Sequence, residues 1–128
     1  MPMLVLDSGA LTMLARRTVA AESQLRALQA KGLLPPVVPS VVLVESLSAR
    51  PTVDAPTNRM IKGWLIEPEI SERLARRAGA LRARARKGSA VDAICVALAE
   101  PGGVVVTGDP DNLGALAANA VGVSVKAI

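Results

Sequence analysis

Four of the eleven acidic residues lie in apolar or turn surroundings rather than on a solvated helix face. Asp7 directly follows an apolar run, and Asp109 comes one residue after three valines and a threonine. Glu45 lies within an apolar stretch, and Asp92 falls in the expected first turn of a helix. Carboxylates gathered in one place repel one another, and a divalent cation removes that repulsion. Such an ion lowers the pKa of a bound water and stabilises charge on a phosphodiester, so these acids predict metal-assisted phosphodiester hydrolysis.

Each of these acids also has a structural interpretation. Asp7 and Asp92 fit helix N-caps, and Asp109 fits a turn that leads into a helix. Glu45 fits an outward-facing helix position equally well. We favour the functional interpretation because four separate structural coincidences at one edge of a sheet are less probable than one site.

The composition narrows the chemistry further. The chain has no histidine and one cysteine, which excludes an internal disulfide, Ser-His and Cys-His catalysis, and zinc sites with histidine ligands. A metal bound by this chain is therefore held by oxygen, which favours Mg²⁺ or Mn²⁺. Cys95 lies in an apolar run, and we interpret it as a small buried hydrophobic residue.

The remaining composition bears on fold class and partners. Hydrophobic residues make up 51% of the chain, with no Phe or Tyr and one Trp, so the core is aliphatic, as in buried parallel strands. Lack of aromatic residues argues against a single-strand binder that stacks bases. A formal charge of +4 favours an anionic partner. Residues 1–6 lack a basic start and the chain lacks an apolar stretch of membrane-spanning length, so we expect a soluble, cytoplasmic protein.

Apolar runs and turn signals alternate along the chain and predict strands that alternate with helices. We expect strands at 3–6, 37–38, 64–66, 103–107 and 121–125, and helices from Ser8 as N-cap through Leu14, at 21–30, from Ser40 through Leu47, at 58–62, at 70–87, after Ser89, and at 111–118. Residues 50–57 contain two prolines and are predicted to be a loop or a broken helix start. The pattern predicts a single α/β domain over residues 1–128 with a parallel sheet and right-handed crossovers. In such sheets, ligands bind beyond the carboxyl ends of the strands, where Asp7 and Asp109 are expected.

The acidic residues and their flanking sequences resemble those of the PIN-domain nucleases, specifically the VapC-type toxins of bacterial toxin–antitoxin pairs. The resemblance extends over nearly the whole chain and is carried by four segments. They are residues 4–11 (LVLDSGAL), 42–47 (VLVESL), 89–93 (SAVDA) and 105–113 (VVTGDPDNL). Gly108 and Asn112 depart from the family pattern, since many relatives have other polar or acidic residues there.

This resemblance implies a three-layer α/β/α sandwich on a short parallel sheet, and endoribonuclease activity that depends on Mg²⁺ or Mn²⁺. It implies RNA as substrate, a homodimer, and a cognate antitoxin protein whose C-terminal segment covers the acidic site. Asp7, Glu45, Asp92 and Asp109 match the catalytic acids, with Asp7, Asp92 and Asp109 as metal ligands. The resemblance also implies supporting roles for Ser8, Thr107 and Asp111.

A basic stretch precedes the Asp92 segment. Glu69 and Glu72 are expected to pair with Arg73 and Arg76 on a solvated helix face. Residues 82–87 lack nearby acids, and we predict that Arg84 and Arg86 contact RNA phosphates.

Two other classes of function remain open from the sequence. One is a catalytically inactive PIN scaffold that binds RNA or a protein, against which the complete acidic set argues. The other is a phosphoacceptor domain in which Asp7 takes a phosphoryl group. Such domains usually have a second acid beside the first strand's aspartate, and this chain has Gly9.

Overall fold

Five short segments form an all-parallel sheet in the computed structural model, which describes residues 3–128. The strands are β1 (Leu4–Leu6), β2 (Val37–Pro39), β3 (Leu65–Glu67), β4 (Val104–Thr107) and β5 (Ser124–Ala127). Their order is β3-β2-β1-β4-β5, with β1 at the centre. The chain winds outward from β1 to β3 and then crosses to β4 on the other side. The point between β1 and β4 is therefore the topological switch point, where α/β sheets bind ligands.

Helices connect the strands and form the two outer layers of a three-layer α/β/α sandwich. Within residues 3–128 they are α1 (Ser8–Ala15), α2 (Val19–Ala30), α3 (Ser40–Ser46), α4 (Pro51–Ile61), α5 (Glu72–Ala85), α6 (Ala90–Ala99) and α7 (Pro110–Ala117). Helix α1 contacts α2, α3 and α4, whereas α5, α6 and α7 contact one another. This architecture confirms the predicted fold class.

The core is aliphatic, as the composition predicts. All three residues of β1 are buried, together with Leu11 and Leu14 of α1 and Leu81 of α5. Cys95 is fully buried in α6, which confirms its interpretation as a small core residue. No helix between residues 3 and 128 has the length and apolar character needed to cross a membrane. Met1 and Pro2, the start of the apolar N-terminal run, lie outside the described residues.

The prediction of a loop or broken helix start at residues 50–57 was wrong. Pro51 occupies the first turn of α4, where its missing N–H has no intrahelical partner to lose. Pro56 lies inside the helix, and its missing N–H removes one intrahelical hydrogen bond. Asp54 strengthens the preceding turn, because its carboxylate accepts hydrogen bonds from the Ser48 backbone N–H at 3.0 and 3.1 Å and from the Ser48 hydroxyl at 2.8 Å. The predicted helix at 58–62 is the second half of this longer helix.

Most other element boundaries differ from the predicted ones by at most three residues. Helix α5 begins after Ser71, whose side chain accepts a hydrogen bond from the Leu74 N–H at 3.0 Å. It ends at Ala85, and the C-cap residue Arg86 has the left-handed φ of 54°. Glu69 therefore precedes the helix, while the predicted pair of Glu72 with Arg76 forms at 2.7 Å.

A bidentate ion pair joins α5 to the C-cap residue of α6. Arg77 donates from Nε to Glu100 Oε1 at 2.7 Å and from Nη2 to Oε2 at 2.8 Å. The Val121 N–H also donates to Glu100 at 2.8 Å. The Glu100 side chain is only 12% exposed. The hydrogen bonds from Arg77 hold the pKa of Glu100 below its ordinary value, although burial opposes them.

We expect Glu100→Gln to lower the free energy of unfolding at pH 7 by about 1–2 kcal/mol, because the charged pair is lost. The loss stays moderate because the Arg77 side chain remains partly exposed to solvent. A carboxylate with a lowered folded pKa stabilises the fold above its ordinary pKa and loses that contribution as the pH falls through the lowered value. The difference in free energy of unfolding between wild type and Glu100→Gln should therefore shrink as the pH falls. Urea unfolding from neutral to acidic pH measures this difference.

Glu72→Gln is the matched control, because Glu72 and Arg76 form their ion pair in solvent, with side chains 79% and 77% exposed. Its effect should stay within about 0.5 kcal/mol. A Glu100→Gln effect that is equally large at every pH would contradict the assignment to the charged pair.

Candidate active site

Asp7 links the central strand to the first helix. It follows β1 and is the N-cap of α1, so Asp7 rather than Ser8 caps this helix, which corrects the predicted cap. Its Oδ1 accepts a hydrogen bond from the Ala10 N–H at 2.8 Å, and its Oδ2 accepts one from the Thr107 hydroxyl. The residue is 4% exposed. Asp7 is thus held in one orientation by two separate elements.

The environment of Asp7 disfavours its negative charge. Burial raises the pKa of Asp7, and the nearby charge of Asp92 adds to that rise. Hydrogen bonds from Thr107, Ala10 and Gly108 lower the pKa but do not offset the burial. An anionic carboxylate held in such a place favours a cation beside it.

Thr107 connects Asp7 with the backbone of Asp109. Thr107 is the last residue of β4 and is fully buried. Its hydroxyl donates to Asp7 and accepts a hydrogen bond from the Asp109 N–H at 2.8 Å. The Asp109 carboxylate caps α7 and accepts from the Asn112 backbone at 3.4 Å and from the Asn112 side-chain amide at 2.7 Å. A single hydroxyl therefore joins the ends of the two strands that flank the switch point.

Asp92 is placed by the start of α6. Ser89 and Asp92 form a capping box, in which the Asp92 N–H donates to Ser89 Oγ at 3.1 Å and the Ser89 N–H donates to Asp92 Oδ2 at 3.0 Å. This arrangement confirms Ser89 as the cap and Asp92 as a residue of the first turn. Asp92 is half-buried, so part of its carboxylate faces solvent.

Glu45 lies on α3 and is exposed. Its negative charge nevertheless acts on the buried Cys95, as do the charges of Asp7 and Asp92. Burial, and then the charges of Asp7, Asp92 and Glu45, raise the pKa of the Cys95 thiol. The Cys95 thiol therefore remains protonated at neutral pH.

All four predicted acids line one open cavity of about 590 Å³ beyond the carboxyl ends of β1 and β4. The lining residues are Asp7, Ser8, Gly9, Thr12, Met13, Arg16, Glu45, Ser89, Asp92, Gly108 and Asp109. As the side chains stand, no three acidic residues between positions 3 and 128 are grouped closely enough to hold a metal ion. The structure thus brings the four acids to one cavity without arranging them as a finished metal centre.

Three other predicted residues do not line this cavity. Asp111 lies in the first turn of α7 and is exposed. Arg84 is exposed near the end of α5, and Arg86 is exposed as the residue that ends that helix. Ser8, by contrast, is part of the cavity wall, and Thr107 lies beneath it through its hydrogen bond to Asp7.

Sequence reasoning missed the contribution of α1 to the wall. Ser8, Thr12 and Arg16 are spaced four residues apart, and Gly9 and Met13 lie next to them. Residues at this spacing share one face of a helix, while the buried Leu11 and Leu14 lie on the other. The sequence does contain a pattern that predicts this wall, namely the polar face of a helix that begins at a candidate catalytic aspartate.

Comparison of the chain with protein-family models and with curated proteins found no match. What the cavity can do is therefore inferred from its own groups. The atoms that could bind a metal in this cavity are carboxylate and hydroxyl oxygens. Such ligands suit hard cations such as Mg²⁺ and Mn²⁺ and do not suit soft ones.

Proposed function

We propose that this protein is an endoribonuclease that depends on Mg²⁺ or Mn²⁺ and hydrolyses RNA phosphodiester bonds. The observation that supports it most is the convergence of Asp7, Glu45, Asp92 and Asp109, from four separate parts of the chain, on one open cavity at the switch point. A divalent cation bound there would lower the pKa of a water and stabilise charge on the phosphodiester.

The carboxylates differ in how firmly they are held, and this suggests separate roles. Asp7 is fixed by Ala10 and Thr107, and Asp92 by its capping box, so these two form a rigid floor for a cation. Asp109 and Glu45 are exposed. An exposed side chain such as Glu45 changes rotamer at low cost, whereas a turn of Asp109 would give up its hydrogen bonds to Asn112 in exchange for the cation. We propose Asp7, Asp92 and Asp109 as the metal ligands, with Asp109 turning inward. Glu45, at the open side of the cavity, would accept a proton from the attacking water.

The charge of the protein suits a polyanionic substrate. The chain carries a net charge of +4 although its candidate site is acidic. Long-range attraction would bring RNA to the protein, while the carboxylates would repel a phosphate that arrives without a cation. This division explains how an acidic cavity can serve an anionic substrate.

The resemblance to VapC-type toxins leads us to extend the proposal. The chain would act as the toxin of a type II toxin–antitoxin pair in the cytoplasm and would form a homodimer. A cognate antitoxin would silence it by covering the acidic cavity. Detection of a small DNA-binding protein encoded beside this chain, and co-purification of the two, would test this extension.

Incubation of purified protein with RNA and divalent ions tests the nuclease. We expect fragments with Mg²⁺ or Mn²⁺, none with a chelator, and recovery when metal is returned in excess. RNA binding without cleavage under every metal condition would favour the inactive scaffold. Cleavage that persists at full rate after chelation would contradict the proposed mechanism.

A phosphoacceptor role for Asp7 can be separated in the same preparation. Asp7 is nearly buried, and both of its oxygens already accept hydrogen bonds, so it is poorly placed to attack a phosphodonor. Mass measurement after incubation with a small phosphodonor and Mg²⁺ should show no adduct. A stable adduct on Asp7 would favour the phosphoacceptor instead.

A further inference from the structure

We infer that Arg16 binds a backbone phosphate of RNA beside the scissile one, and this inference rests on the proposed nuclease function. Arg16 is the only basic residue that lines the acidic cavity within residues 3–128. It was not among the RNA contacts that the sequence predicts, which are Arg84 and Arg86 at the C-terminal end of α5.

Helix α1 fixes the distance between Arg16 and the acids. Asp7 is the N-cap of this helix and Arg16 is its C-cap, with helical φ and ψ of −66° and −18°. Nine residues of helix correspond to about 13 Å along the axis. Helical side chains lean toward the N-terminus, so Arg16 leans back along the cavity wall toward Thr12 and Ser8. Arg16 therefore lines the same cavity as Asp7, and no nitrogen of its guanidinium lies within 4.0 Å of the Asp7 carboxylate.

Arg16 is also free to bind an anion. The salt bridges among residues 3–128 join Arg17 to Glu22, Arg76 to Glu72, and Arg77 to Glu100, and none involves Arg16. Four carboxylates line the same cavity, yet none lies within 4.0 Å of the Arg16 guanidinium. Arg16 is exposed, and the five N–H donors of a guanidinium match the oxygens of a phosphate.

The distribution of charge in the cavity fits a phosphodiester chain. Asp7, at the start of α1, lines the cavity together with the other acids that would hold a cation, and Arg16 lines it at the other end of the same helix. A phosphate at the acidic end would be neutralised by the cation, and the next part of the backbone would meet Arg16. Such a contact reads the backbone and not the base, so it should be insensitive to sequence.

The test compares Arg16→Ala and Arg16→Lys with Arg17→Ala. Arg17 is the matched control because it is the adjacent arginine and pairs with Glu22 at 3.2 Å instead of lining the cavity. Cleavage of a short single-stranded RNA with Mg²⁺ gives kcat and KM. Fluorescence anisotropy with Ca²⁺ in place of Mg²⁺ gives binding with cleavage suppressed, because Ca²⁺ takes the same carboxylate ligands but polarises a bound water less. Thermal melting shows whether each variant is folded.

We expect Arg16→Ala to raise KM and weaken binding about tenfold, with kcat changed by less than about threefold, because a flanking contact acts equally in the ground and transition states. The slope of log affinity against log salt should fall by about 1. Arg16→Lys should recover much of the binding, and Arg17→Ala should behave as wild type. A merely structural role would instead lower the melting temperature and would not change the salt slope.

The outcomes separate this inference from the proposed function. If wild type cleaves RNA and Arg16→Ala binds and cleaves as Arg17→Ala does, the Arg16 inference is overturned and the nuclease stands. If wild type does not cleave but Arg16→Ala still weakens binding selectively, the nuclease is overturned and the phosphate contact stands. Wild type that neither binds nor cleaves RNA would overturn both.

Discussion

Asp7→Asn is expected to lower RNA cleavage by about a thousandfold or more while leaving the protein folded. Asparagine keeps a side-chain oxygen that can accept the hydrogen bond from the Ala10 N–H, so the cap of α1 is retained. What is lost is the negative charge that would hold the cation. Initial rates of cleavage of a defined RNA with saturating Mg²⁺, together with a melting curve, measure both parts of the prediction.

The stability of this variant should also depend on pH differently from that of wild type, although the amide nitrogen of the asparagine cannot accept the hydrogen bond from Thr107. Burial raises the pKa of Asp7, so the folded state holds its proton more tightly than the unfolded state does. The stabilisation from the protonated form is complete below the ordinary pKa and is lost as the pH rises through the raised value. The free energy of unfolding of wild type should therefore fall as the pH rises through the raised pKa of Asp7, and that of Asp7→Asn, which has no carboxyl group there, should lack this fall.

Two further variants complete this comparison. Asp92→Asn should also abolish cleavage, because Asp92 lines the cavity and its charge would be lost. The protein should stay folded, because the asparagine oxygen can still accept the hydrogen bond from the Ser89 N–H. Asp111→Asn is the control, since this exposed carboxylate is two residues from Asp109 and does not line the cavity. We expect less than about a threefold effect from it. If Asp7→Asn and Asp92→Asn both cleave RNA at the wild-type rate, the nuclease proposal fails.

The acids that were predictable from the sequence are those placed by short-range rules. Aliphatic runs marked β1 and β4, and residues that follow parallel strands share one edge of the sheet, so Asp7 and Asp109 were expected together. Ser89 three residues before Asp92 indicated a helix start. The structural interpretation of these residues proved compatible with the functional one. Asp7 and Asp109 each cap a helix, Asp92 completes the capping box of α6, and all three line the cavity.

What the sequence could not supply depends on contacts between distant segments. Helix α4 forms despite Pro56, and nothing in its local pattern shows that Asp54 would bind the Ser48 turn. Arg84 and Arg86 are close to Asp92 along the chain, yet they do not line its cavity. Arg16 is nine residues from Asp7 and does, because α1 runs along the cavity wall. Proximity along the chain therefore did not show which basic residue lines the cavity, and the predicted RNA contacts of Arg84 and Arg86 stay a prediction.

Gly103 shows how a distant contact can control the site, and its substitution is expected to have the largest effect on stability. A Cβ at this position would overlap the Ala99 carbonyl oxygen and would lie 2.8 Å from the Met3 carbonyl oxygen. Both are backbone atoms in hydrogen bonds at 2.8 Å, to the Gly103 and Val104 N–H groups. Neither oxygen can move aside as a side chain would. The junction between α6 and β4 therefore requires glycine.

We expect Gly103→Ala to lower the free energy of unfolding by about 3 kcal/mol or more, because the backbone itself must shift. Gly79→Ala is the control with the opposite sign. Gly79 is exposed inside α5, where an added Cβ meets nothing within 4 Å, so alanine should stabilise the helix by about 0.5–1 kcal/mol. Chemical unfolding of the two variants beside wild type measures both changes.

The Gly103 effect should also reach the cavity. Helix α6 begins near Asp92 and ends at Ala99, and β4 begins at Val104 and leads to Asp109, so Gly103 sets the spacing of the two elements that carry these acids. In conditions where Gly103→Ala remains folded, we expect weaker activation by Mg²⁺ than in wild type, seen as a higher metal concentration for half-maximal cleavage. Gly79→Ala should keep the wild-type metal requirement. Equal stability of Gly103→Ala and wild type would show that the α6–β4 junction is less tightly packed than the backbone contacts indicate.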